Sequence, residues 1–139
     1  MPSPTAPVPA EDAELEAAIA QARDSLDNFI AKITTPHPDR TLAAVKVRFT
    51  PPGEPPQDIW VDQVKYADDG LEGAMGDDLP LLRLKFGETI KIAEEDIVDW
   101  AIVEDGKLVG GYTIRLAVQR MSPEEKERFL ETLPYTIED

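Results

Sequence analysis

Residues 99–115, DWAIVEDGKLVGGYTIR, gather more groups that could hold a ligand than any other stretch of the chain. Gly110 and Gly111 are followed by Tyr112, Thr113 and Arg115. If a helix starts at the glycines, its unpaired N–H groups suit an anion, and Arg115 could close the site as a bidentate donor. The same residues also make a structural corner, because two glycines let the backbone turn sharply and pass close to Trp100. A bare Gly-Gly is weak as an anion motif, so the corner is the preferred reading. Trp60 and Trp100 each fall in the middle of a strand-like run. An indole there is ordinarily core because it buries much area, and the alternative is an aromatic wall for a ligand or partner. Asp99 would face the side of the strand opposite Trp100, which suits a turn or edge residue bonding a backbone N–H. The candidate binding residues are therefore Trp60, Asp99, Trp100, Gly110, Gly111, Tyr112 and Arg115. No catalytic set is assigned.

Other chemistries are poorly supplied. Asp77, Asp78, Glu94, Glu95 and Asp96 could converge on a hard cation, which prefers oxygen ligands. The chain has no Asp-x-Asp-x-Asp-Gly loop, and adjacent acids on a strand point to opposite faces. They read as solvated charge, and nothing singles out two of them as an acid/base pair for hydrolysis. Ser3, Ser25 and Ser122 are the only serines, placed in a tail, on a helix face and at a helix cap. None sits in a nucleophile elbow that His37 could serve, and His37, between Pro36 and Pro38, reads as an exposed loop residue. The chain has no cysteine, which removes disulfides and thiolate chemistry together. A single histidine excludes a zinc site built on several imidazoles. The expectation is no metal and no cofactor.

Those groups must be positioned by one ordinary domain, since 139 residues are long enough for one core and short for two. The segment 1–10 has four prolines and little to pack, so a disordered tail is expected before a domain over 11–139. Leu15, Ile19, Ala22, Leu26, Phe29 and Ile33 recur at spacings of four and three, which predicts one long amphipathic helix over about 12–33. Pro36 and Pro38 follow it. TLAAVKVRFT alternates as a half-exposed strand, and 57–67 with 71–76 reads as a hairpin turning at Asp69-Gly70. Residues up to Gly87 read as a short helical turn or irregular segment. Strands follow over 89–92, 97–104 and 107–110, with a hairpin turn at Asp105-Gly106. Residues 111–120 fit both a strand and a helix, and the helix is preferred. Ser122, Pro123 and Glu125 then open a capped helix.

The formal net charge is −14. From Asp68 to Asp105, twelve carboxylates stand against Arg83, Lys85 and Lys91, a local net of −9. Such a field repels nucleic acid and anionic membrane. It reads first as a solvated face that aids solubility, and second as a surface for a basic partner. No stretch is long and apolar enough for a membrane span, and MPSPTAPVPA lacks the marks of a secretory signal, so a cytoplasmic location is expected.

From Ala13 to Thr136 the chain resembles the YegJ-like bacterial family of unknown function (domain of unknown function 2314). The carrying stretches are LAAVKVRF, DIWVDQVKYADDGLEGAMGDDL, FGETIKIAEEDIVDWAIVEDGKLVGGYTIR and RMSPEEKERF. GAMGDDLP departs from the family pattern, in which Asn and Pro commonly follow the second hairpin strand, so no family role is carried to 74–80. The resemblance brings no activity, cofactor or catalytic residue. It implies a domain that occurs alone or appended to modules such as ankyrin-type repeats, which suits an interaction unit better than a metabolic enzyme.

The expected architecture is α+β: a single bent antiparallel sheet packed by a long N-terminal helix and a C-terminal helical pair. The expected role is a non-catalytic binding or interaction module, monomeric or weakly dimeric, whose partner is a protein and plausibly a basic one. The alternatives are a small-ligand receptor or enzyme using the surface near Trp60, Trp100 and Gly110–Arg115, and an acidic antagonist that neutralises a toxin.

Overall fold

A computed structural model describes residues 12–67 and 70–137. The expected proline-rich tail and the Asp69 half of the first hairpin turn lie outside these residues. The fold is α+β, with elements α1 (Ala13–Asp24), α2 (Leu26–Ile33), β1 (Arg40–Phe49), β2 (Gln57–Ala67), β3 (Gly70–Met75), β4 (Thr89–Ile92), β5 (Ile97–Glu104), β6 (Lys107–Gly110), α3 (Tyr112–Gln119) and α4 (Pro123–Thr132). The strands form one antiparallel sheet in the order β4-β3-β2-β1-β5-β6.

Alternation along β1 divides its side chains between two environments. Ala43, Val45, Val47 and Phe49 face the N-terminal helices, where Phe29 is the fully buried centre of the core. Leu42, Ala44, Lys46 and Arg48 take the other face, as the period of two requires. Register shifts interrupt the β1–β5 and β2–β3 pairings, and such bulges bend a sheet.

The N-terminal helix differs from the single rod its periodicity predicts. It breaks at Ser25, whose backbone (φ −104°, ψ 8°) leaves the helical region. The Ser25 hydroxyl donates back to the Gln21 carbonyl at 2.8 Å, a bond known to bend helices, and accepts the Trp100 indole N–H at 3.1 Å. The break is fixed by a tertiary contact 75 residues away, which no local pattern carries.

Residues 112–119 are helical, as preferred, and α3 buries Thr113, Leu116 and Val118. The second member of the C-terminal pair is different: α4 has the full Ser122–Glu125 capping box but no buried residue. Beyond it the chain returns to the sheet. The Thr136 N–H donates to the Gly106 carbonyl at 2.8 Å and its carbonyl accepts from Leu108 at 2.9 Å, which covers the β6 edge. Among the described residues, no helix is long and apolar enough to cross a membrane.

Candidate functional site

The 99–115 stretch forms a corner held by a buried carboxylate. Asp99 is 0% and Trp100 2% exposed, on opposite faces of β5. Both are buried because the sheet is sandwiched here, with α1 and α2 over Trp100 and the start of α3 over Asp99. Asp99 is thus fully buried, at a stretch of β5 that β6 does not reach, and it bonds backbone N–H groups as expected. Its Oδ1 accepts from Trp100 at 2.8 Å and Tyr112 at 3.1 Å. Its Oδ2 accepts from the Thr113 amide at 2.9 Å and the Thr113 hydroxyl at 2.6 Å. The carboxylate therefore caps α3 from another element, where the positive end of the helix dipole favours it. Lys46, opposite Asp99 on β1, donates to the Thr113 hydroxyl at 2.8 Å and lies 5.3 Å from the Trp60 ring centre.

Burial pushes the Asp99 carboxyl above its ordinary range, against the pull of Thr113, of the Lys46 charge and of the Trp100 amide. Burial likewise pushes the Lys46 ammonium below its ordinary range, opposed by the charges of Asp99 and Asp58. The pair is internally satisfied. Two first-turn amides that would serve an external anion, those of Tyr112 and Thr113, are already bonded to Asp99.

The glycines do what a corner demands. Gly110 and Gly111 both have left-handed backbones, with φ of 76° and 65°. A Cβ on Gly110 would stand 2.6 Å from two Trp100 ring carbons and 2.7 Å from the Trp100 carbonyl. A Cβ on Gly111 would stand 2.8 Å from Leu108. Arg115 turns back onto the strand it left, donating to the carbonyls of Gly110 at 2.8 Å and Leu108 at 3.0 Å. Tyr112 packs edge-on against Trp100, with its hydroxyl 3.1 Å from Ser25 Oγ. Six of the seven candidate residues, Asp99 to Arg115, thus share one corner, and Trp60 stands apart from them on β2.

Trp60 is only half-buried. It lines a concavity of about 520 Å³ on the face of the sheet away from α1 and α2. Leu42, Ala44 and Ala101 belong to the same lining, with Ile114 and Tyr135 to one side and Phe86 to the other. Phe86 is 72% exposed, yet its loop is firmly tied. Its amide donates to Asp78 Oδ1 at 2.8 Å, Gly87 donates to the Met75 carbonyl at 2.8 Å and Met75 donates to the Glu88 carbonyl at 2.8 Å. Leu81, 54% exposed, lies in a short 3-10 turn of the same loop, Pro80–Leu82. The alternation of the strands does not say which face the helices leave uncovered.

The acids considered for a cation are distributed over two loops. Asp77 and Asp78 bond amides in the loop after β3, while Glu94–Asp96 form an exposed 3-10 turn before β5. Among the described residues, ligand-type atoms within 4.8 Å of one another occur instead at His37, Asp39 and Asp105. There, His37 Nδ1 accepts the Asp39 N–H at 3.1 Å, so the neutral ring carries its proton on Nε2, 3.9 Å from Asp105. A ligating imidazole usually donates its second nitrogen's proton to an acceptor, and here that position faces a donor. The group suits a polar latch between the loop and the hairpin turn.

The fold and site thus define a small α+β domain with one sheet face filled by helices and the other hollowed. Residues 12–135 match the family described as "Uncharacterized protein conserved in bacteria (DUF2314)", and the chain belongs to that family. It is similar to the "Uncharacterized protein YegJ" of Escherichia coli strain K12, 33% identical over 98 residues, 70% of this chain. The match spans 62% of that relative's length. No solved structure matches the chain.

Proposed function

We propose that this domain is a non-catalytic interaction module that seats a partner protein on the hollowed face of its sheet. One observation carries the reading: a phenylalanine held 72% exposed by a firmly bonded loop, at the rim of an apolar concavity. A large aromatic ring kept out of a core on a loop whose backbone is already fixed requires no loop ordering when a partner covers it, which favours a binding anchor.

The receptor or enzyme reading, on the surface near Trp60, Trp100 and Gly110–Arg115, has less support at its corner, because the Tyr112 and Thr113 amides, the Asp99 carboxylate and the Arg115 guanidinium there are bonded within the fold. The antagonist reading rests on the charge of −14 alone. The test compares affinity capture from a bacterial lysate by the tagged full chain and by its Phe86→Ser variant, with quantitative mass spectrometry. The reading expects proteins recovered by the parent and lost with the variant while its melting temperature stays put. Identical recoveries would overturn it.

A further inference from the structure

We infer that the hollowed face selects a basic segment of a partner protein, a Lys or Arg flanked by apolar residues, with Asp62 as its ion-pairing group. This inference rests on the interaction-module reading and gives the partner a chemistry.

The argument starts from a bulge. Asp62 pairs with Ala74 and Lys65 with Glu72, so Gln63 and Val64 together oppose Gly73 alone. Gln63 takes the left-handed region at φ 52°, which a non-glycine residue adopts at a cost. In a regular strand, neighbouring side chains point to opposite faces. Here Asp62 and Gln63 both line the concavity while Val64 returns to the core. The bulge is locked from behind, since a Cβ on Gly73 would stand 2.8 Å from the Asp62 carbonyl and from Val61. A strained, locked bulge that re-aims polar side chains toward a pocket is a recognised device of binding sites.

The electrostatics name the guest. Among the described lining residues, Asp62 is the one acidic or basic side chain. Its Oδ1 accepts the Gln63 amide at 2.7 Å, and no basic side chain among the described residues is paired with it. Other cations on the same face are engaged elsewhere, Lys46 with Thr113 beside Asp99, Arg48 with Asp58 at 2.9 Å and Lys65 with Glu72 at 3.3 Å, while Lys91 stands opposite Glu72 on β4. Trp60, Phe86 and Tyr135 bring three aromatic rings to the same lining; Lys46 already stands over Trp60, and rings such as those of Phe86 and Tyr135 attract cations as well as apolar groups. A net charge of −14 steers basic partners in and acidic partners away.

The experiment is a selection of random twelve-residue peptides displayed on phage, run against the full chain and against its Phe86→Ser and Asp62→Asn variants. Asn keeps an oxygen for the Gln63 amide, so the bulge should persist, and amide spectra of each variant check this. We expect the parent to enrich peptides with a Lys or Arg between apolar residues. Their synthetic forms should bind about tenfold more weakly, or worse, to Asp62→Asn, and a Lys→Gln peptide should lose affinity similarly. Peptides that need Phe86 but carry no basic residue and ignore Asp62→Asn would overturn this inference and leave the module reading standing. Basic peptides indifferent to both variants and displaced by salt alone would overturn the inference as general charge attraction. If no peptide depends on Phe86, the module reading falls as well.

Discussion

The two faces of the sheet are built from the same strands and treated in opposite ways. On one, Val45, Ile59, Val61 and Ile102 are completely shut from solvent around Phe29. On the other, Trp60 is half-buried, Phe86 stands exposed and the aliphatic floor includes two alanines, Ala44 and Ala101. Small side chains on a floor with large aromatics on the rim make a hollow, whereas large aliphatics under helices fill one. The difference lies in residue size at alternate strand positions rather than in overall hydrophobicity. It separates what holds the fold from what the fold presents.

The largest effect should come from emptying the filled face. Phe29→Ala removes a ring with no exposure, which costs about 3–5 kcal/mol in such sites. Urea unfolding measures it, and a loss below about 1 kcal/mol would mean that the helices do not pack as described.

Slightly smaller is the effect of removing the charge that ties the two faces together at the corner. Asp99→Asn keeps the shape but offers one oxygen where two are used, so its amide group would confront the Thr113 N–H or the amides of Trp100 and Tyr112. It also strips Lys46 of its opposing charge. A buried donor left unpaired beside an ammonium that has lost its nearer counter-charge should cost about 3 kcal/mol. Adding Lys46→Met should recover part of that loss, because the second change removes a charge that has lost its partner. Strict additivity of the two variants would sink the coupling.

Acid should expose a third contribution, at the seam between α1 and α3. Asp12 caps α1 through the Leu15 amide and pairs with Arg120 at 2.7 Å, and this pairing holds its carboxyl at about 2, down from 3.8. A carboxyl lowered by folding contributes stability that is complete above 3.8 and lost as pH falls through about 2. Melting temperature should therefore fall less steeply across this window in Asp12→Asn than in the parent. Parallel curves would show that the pair is not maintained in solution.

Elements with local signals were the most legible in the sequence. Strands 97–104 and 107–110 were bounded by the Asp105-Gly106 turn, and α4 was announced by Ser122, Pro123 and Glu125, because these signals lie within a few residues. The break at Ser25 was not legible, since it answers to Trp100. The burial of Asp99 was missed for a related reason: alternation assigns a side chain to a face, but only the path of α3 decides whether that face is covered. The hollow was the least legible part, because Asp62 and Gln63 face the same way only through a bulge that has no local signature. Binding residues chosen by chemical type therefore concentrated at the corner, where the fold consumes them.

The smallest stability effect is expected where the binding effect is expected to be greatest. Phe86→Ser removes a ring that is 72% exposed, while the bond from the Phe86 amide to Asp78 involves only the backbone and should survive. Exposed substitutions away from special features usually change stability by no more than about 0.5 kcal/mol. The variant should thus unfold at nearly the same urea concentration as the parent, in contrast to Phe29→Ala, which removes the same ring from the other side of the sheet. A loss of about 2 kcal/mol or more would mean that Phe86 folds back over the hollow in solution and buries its ring there. The loop would then be a cover and the second face a core, and the contrast between the two faces would disappear.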